Sequence, residues 1–237
     1  MTRYVLVHGA FAGGWCWEPV VAELERRGHS VQAPDLPGSG KDATPIEDVT
    51  LDAYAARVCE TLAADDEPAV LVGHSMGGVV ITQAAARCPE RITRLIYVAA
   101  FLPRDGQSLK GLTELPEGLD DGVQANMTVT GEPPVADMSP TAAREVFYGA
   151  CDDEQAAWAL SHLGRQPVIP FVTPVSLGTA VDDLPRSYVL CTADRAIPPA
   201  LQRRMIDESP CKEVIELPVD HSPWISATVA LADALER

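Results

Sequence analysis

The sequence predicts an α/β protein: a doubly wound sheet of six parallel strands with a helical lid inserted after the fourth strand. Three observations predict it. Short apolar runs alternate with helix-period segments through residues 1–101. That alternation stops over 102–175 and resumes over 176–237, which divides the chain into a core in two pieces and one insertion. Finally, Val-Leu-Val-Gly-His-Ser-Met-Gly-Gly-Val-Val at 70–80 passes from strand to helix through a G-x-S-x-G turn, Gly73-His74-Ser75-Met76-Gly77.

The elements follow in order. Tyr4–Val7 reads as a strand, Trp17–Arg27 as a helix stopped by Gly28, and Ser30–Ala33 as a second strand closed by Asp35-Leu36-Pro37-Gly38-Ser39-Gly40. Leu51–Ala64 is a helix, Ala69–Val72 the third strand, Met76–Arg87 the helix after the turn, and Leu95–Ala99 the fourth strand. Strands this short and this apolar suit a parallel sheet covered on both faces. Within the insertion, Thr141–Gly149 and Asp153–Leu163 read as short helices and Asn126–Thr130 as a short strand. Ser187–Cys191 and Glu213–Leu217 supply the last two strands, with helices over Pro199–Asp207 and Pro223–Leu235.

Composition bounds the function. A chain of 237 residues, 46% hydrophobic and 22% charged, can bury a full core. Its formal charge of −16 argues against nucleic acid or an anionic membrane as partner. The six cysteines, Cys16, Cys59, Cys88, Cys151, Cys191 and Cys211, form no C-x-x-C pair, so neither a zinc nor a redox site is expected, and buried free thiols are. No signal-peptide pattern precedes Arg3-Tyr4-Val5-Leu6-Val7 and no apolar run is long enough to span a bilayer, so a soluble cytoplasmic protein is expected, as monomer or homodimer.

The turn at Ser75 points to nucleophilic catalysis. Small flanking residues admit a serine in a strained backbone, and the following helix aims its N-terminal amides at an adjacent oxyanion. A serine hydroxyl needs a base, and the base an orienting acid. In open α/β sheets such groups lie past the C-terminal ends of strands. His221 satisfies that condition. His8 and His74 lie within tight turns, His29 at the opposite edge and His162 in the lid. For the acid, Asp194 follows the fifth strand, while Asp105, after the fourth, remains a competitor; Asp220 adjoins His221 too closely in sequence to orient it. The order Ser75, Asp194, His221 is the order of one known triad class. The Met76 amide and an amide of the Gly-rich loop His8-Gly9-Ala10-Phe11-Ala12-Gly13-Gly14, that of Ala10, are the expected oxyanion donors. Phe11, Leu102, Phe147, Trp158, Leu160, Phe171 and Trp224 are candidate walls of an apolar substrate pocket.

Taken together, Val5-Leu6-Val7-His8-Gly9-Ala10-Phe11-Ala12-Gly13-Gly14-Trp15-Cys16-Trp17, Gly73-His74-Ser75-Met76-Gly77-Gly78, Tyr188 to Pro199 and Asp220-His221-Ser222-Pro223 make the whole chain resemble the α/β-hydrolase superfamily. The resemblance is closest to the branch of plant methyl esterases and hydroxynitrile lyases with their bacterial relatives. It implies Ser75 as nucleophile, Asp194 as acid and His221 as base, with no metal or organic cofactor. The lyases carry a threonine where Gly9 stands and a lysine where Ser222 stands. Those two departures favour hydrolysis of a small carboxylic ester over cyanohydrin cleavage. Lactone or thioester hydrolysis, a cyclisation or elimination step in small-molecule biosynthesis, and a non-catalytic ligand receptor are the competing readings.

Overall fold

The computed structural model describes residues 1–179 and 181–237. Strands β1 (Arg3–Val7), β2 (Ser30–Gln32), β3 (Ala69–His74) and β4 (Ile92–Val98) come first in the chain. β5 (Met127–Thr130), β6 (Val135–Met138) and β7 (Gln166–Pro167) lie in the insertion, and β8 (Arg186–Cys191) and β9 (Glu213–Leu217) follow it. The main sheet is six-stranded in the order β2-β1-β3-β4-β8-β9, and each of its pairings is parallel.

Side-chain alternation explains the two covered faces. Val5, Val7, Leu71, Leu95 and Tyr97 join one buried cluster, which takes in α2 (Leu51–Ala63), α3 (Gly77–Arg87) and, further along the chain, α9 (Pro199–Glu208). Tyr4, Leu6, Val70, Val72, Ile96 and Val98 join a second cluster with α1 (Glu18–Arg26) and α11 (Thr228–Leu235). Successive residues of the central strands therefore feed opposite cores, which is what a doubly wound sheet requires.

The segment between β4 and β8 holds α4 (Leu109–Thr113), α5 (Gly122–Asn126), α6 (Pro140–Phe147), α7 (Asp153–His162) and α8 (Ile169–Val172). It is less purely helical than the sequence suggests. β5, β6 and β7 form a small antiparallel sheet, of which the sequence suggests β5 alone. The final helix is also divided. α10 (Pro223–Ser226) ends where Ala227 leaves helical backbone at φ −148°, and α11 restarts after it. Ser226 Oγ donates instead to Asp220 Oδ1 at 2.8 Å, which ties the break to the loop carrying His221.

Expectation and structure part over the cysteines. α2 and α3 pack side by side, and Cys59 and Cys88 are joined in a disulfide with their Cα atoms 6.1 Å apart. Cys16, Cys151 and Cys191 are buried free thiols and Cys211 a half-buried one. Among the described residues no helix is long and apolar enough to cross a membrane. Alkylation of the unfolded protein should modify four cysteines without reductant and all six after reduction. Reduction should cost about 3.6 kcal/mol in urea-unfolding free energy for a loop of this length; six alkylated thiols in the untreated protein would contradict the crosslink.

Candidate active site

The serine sits in the turn that its neighbours permit. Ser75 has φ 55°, a left-handed conformation costly to a residue with a side chain. Two glycines leave room for it: a Cβ on Gly73 would lie 2.6 Å from the Gly77 carbonyl oxygen, and one on Gly77 would lie 2.6 Å from that of Val7. The strained residue is held from three sides. Its amide donates to Val98 O at 3.3 Å, and its carbonyl accepts from Gly78 N at 3.0 Å and Phe101 N at 3.1 Å. Phe11 at φ 61° and Ala99 at φ 42° are the other non-glycine residues with positive φ among those described. The three follow β1, β3 and β4, so the strain gathers at one edge of the sheet.

Past the ends of β8 and β9 the structure brings Asp194 and His221 together. His221 Nδ1 lies 2.9 Å from Asp194 Oδ2, and both side chains are almost wholly buried. Asp194 Oδ1 accepts from Ala196 N at 2.8 Å and Ile197 N at 3.0 Å, and Gln202 Nε2 donates to Oδ2 at 3.0 Å. Four donors thus surround one carboxylate, which offsets its desolvation. Asp105, by contrast, is exposed and accepts from Leu177 N at 2.8 Å. Asp220 accepts from Ala150 N, Ser222 N and Ser226 Oγ, which makes it a brace for its loop.

The other histidines brace loops. His8 Nδ1 donates to Gly9 O at 2.8 Å, and its Nε2 accepts from Leu36 N at 3.1 Å; burial lowers its pKa. Burial, aided by the nearby His221, holds the His74 imidazole well below the usual histidine range. His74 Nε2 therefore donates, to the His221 carbonyl at 2.7 Å. The His221 ring lies between His74, at a centroid distance of 4.6 Å, and Phe147, at 5.6 Å.

Ser75 lies between two narrow cavities. One, of about 30 Å³, is lined by Ala10, Phe11, Ser75, Met76, Asp121, Phe147 and Phe171 among others. The second, of about 20 Å³, is lined by Ala10, His74, Ser75, Phe147, His221, Ser222 and Trp224 among others. Of the expected walls, Phe11, Phe147, Phe171 and Trp224 line these cavities, and three others do not. Leu102 is packed in the core, with its amide against Met205 Sδ at 3.3 Å. Trp158 stacks edge-on against Trp15, at 5.3 Å, and beside His162. Leu160 is half-buried against the α1-side core. For Trp158 and Leu160 the reason lies in helix phase: α7 turns Ala156 and Ala159 inward, so its large side chains fall elsewhere.

Three polar residues of the site were not anticipated. Gln202 occupies the buried face of α9 beside Leu201 and Met205, and it also donates to Ile197 O at 2.8 Å. A glutamine on the apolar stripe of the helix after Asp194 is a signal that sequence carries. Gln166, from β7, accepts from Phe11 N at 3.3 Å, while Gly164 N donates to Phe11 O at 2.8 Å, so the insertion holds the Gly-rich loop. Asp121 is buried at the cavity wall. The Ala10 and Met76 amides donate to no acceptor among the described residues. No cluster of three or more His, Cys, Asp or Glu among the described residues could hold a metal ion.

The sequence profile of the alpha/beta hydrolase family matches residues 4–234. Methylesterase 7 of Arabidopsis thaliana is 34% identical over 243 residues, covering 94% of this chain and 91% of its own. A pyrethroid hydrolase of Sphingobium wenxiniae is 33% identical over 243 residues, covering 99% of this chain and 86% of its own. The crystal structure of a pyrethroid hydrolase from Sphingobium faniae superimposes with a TM-score of 0.90 at 31% identity, over 99% of this chain and 96% of that one.

A Cβ on Gly9 would lie 2.8 Å from Ser75 Cβ and 3.1 Å from His74 Nδ1. Gly9→Ala should therefore push Ser75 out of position and slow its labelling by a fluorophosphonate probe by roughly 10²-fold. Labelling at the wild-type rate would show that the contact does not position the serine.

Proposed function

The chain belongs to the alpha/beta hydrolase family, and on that premise we propose that it is a serine hydrolase of small carboxylic esters working through Ser75, His221 and Asp194. His221 takes the Ser75 proton as Oγ attacks the ester carbonyl. Asp194, bonded to Nδ1, keeps the ring in the tautomer that leaves Nε2 free to accept. The unpartnered amides of Ala10 and Met76 stabilise the tetrahedral oxyanion. His221 then returns the proton to the leaving alcohol, and water cleaves the acyl-enzyme with the same base. The observation that carries this reading is His221, bonded to the buried Asp194 at 2.9 Å, lining one cavity with a serine held at φ 55°.

The two cavities divide the substrate. The leaving oxygen must face His221 to receive its proton, so the alcohol lies on the side of the cavity that His221 lines. The acyl group then lies on the Asp121 side, under Phe147 and Phe171 of the insertion. Residues 102–175 act as the lid, and 1–101 with 176–237 as the catalytic core. The names of the methylesterase and hydrolase relatives support ester cleavage. Cyanohydrin cleavage is disfavoured: Gly9 carries no hydroxyl, and the buried Ser222 supplies no cation.

Ser75→Ala should lower kcat for a short methyl or aryl ester by at least ~10⁴-fold, and Asp194→Asn by roughly 10³- to 10⁴-fold. Wild-type hydrolysis no faster than that of Ser75→Ala would overturn the proposal.

A further inference from the structure

Apart from Ser75 and Gln124, the acyl-side cavity is lined by apolar residues and a single acid. Asp121 is 2% exposed and lies in the wall of the cavity that holds Ser75. It is the only ionisable side chain lining that cavity among the described residues. Its Oδ1 accepts from Val123 N at 2.7 Å and Gln124 N at 3.0 Å. Its Oδ2 accepts from no donor among the described residues. Burial raises the Asp121 pKa to about 6, the amides of Gln124 and Val123 opposing the rise, and the charges of His221 and Asp194 are close enough to act on it. Asp194 shows the contrast: as buried a carboxylate, it is surrounded by four donors. Asp121 has an acceptor left over, and the space beside it is where an acyl chain attached to Ser75 would lie.

We infer that Asp121 selects the acyl group, favouring esters whose acyl chain carries a hydroxyl or ammonium donor over plain alkyl chains and over chains bearing a second carboxylate. The inference rests on the esterase reading of Ser75. A donor on the acyl chain satisfies Oδ2 in a water-poor site, where an unmet acceptor is costly, and an ammonium adds a charge-assisted bond. A methyl group in the same place leaves Oδ2 unmet, and a carboxylate meets like charge.

Four methyl esters of nearly equal size separate these cases: butanoate, 3-hydroxypropanoate, 3-aminopropanoate and the half-ester of malonate. Wild-type kcat/KM should be at least ~10-fold higher for the hydroxy and amino esters than for butanoate, and lowest for the malonate. Asp121→Asn keeps an oxygen for the two amides and removes the charge. It should shrink the amino-to-butanoate ratio by about tenfold or more and relieve the discrimination against malonate. A residue that only capped α5 would scale all four esters together, so ratios unmoved in Asp121→Asn overturn the inference alone. If the wild type turns over none of the four while Ser75 remains unreactive to the fluorophosphonate, the esterase reading fails and the inference with it. If Ser75 does react with the probe but the wild type shows no preference for donor-bearing esters, the inference fails and the esterase reading stands.

Discussion

Everything at this site depends on how closely one helix approaches the sheet. The N-terminus of α3 comes near enough to β1 and β3 that Gly73 and Gly77 have no room for a Cβ. That approach forces the backbone of Ser75 into left-handed space, and hydrogen bonds to Val98, Gly78 and Phe101 hold it there. Strain of this kind costs on the order of 1–3 kcal/mol per residue and persists only where its surroundings over-determine it. Here they do. Phe11 and Ala99, the other two residues with positive φ, lie on flanking loops, and the insertion pins Phe11 through Gln166 and Gly164. The two core clusters supply the rigidity against which the turn is held.

Electrostatics at the site follows from how completely each buried group is met. Asp194 receives donors from the backbone of its own loop, from α9 and from His221, which offsets the desolvation of its carboxylate. His74 is kept neutral by burial and spends its one proton on the carbonyl of His221, fixing the loop and not competing for the serine. Asp121 is the exception, half met and facing the acyl cavity. In a chain with a formal charge of −16, selectivity against acidic acyl groups would agree with the long-range field as well as the local one.

The order of elements was legible because the central strands of a covered parallel sheet are apolar on both faces and α1 stops ahead of Gly28. Ser75 was legible because the chemistry of its turn is local. Asp194 and His221 could be singled out because strand ends in such a sheet share one edge. The rest depends on phase and burial. Trp158 looked like a pocket wall from its size alone, but α7 presents alanines inward and leaves the tryptophan against Trp15. Asp121 and Gln202 read as ordinary polar residues until the insertion and α9 bury them. Cys59 and Cys88 lie 29 residues apart, and only the packing of α2 on α3 shows that they meet.

The central claim is that Ser75 carries the acyl group between two half-reactions. It is tested most directly by acid-quenching the enzyme during turnover of a short p-nitrophenyl ester, then measuring the intact mass and mapping the peptide. The account predicts an added acyl mass on the peptide containing Ser75, released on further incubation as free acid. Turnover with no acyl adduct, or with the adduct on any other residue, would contradict it.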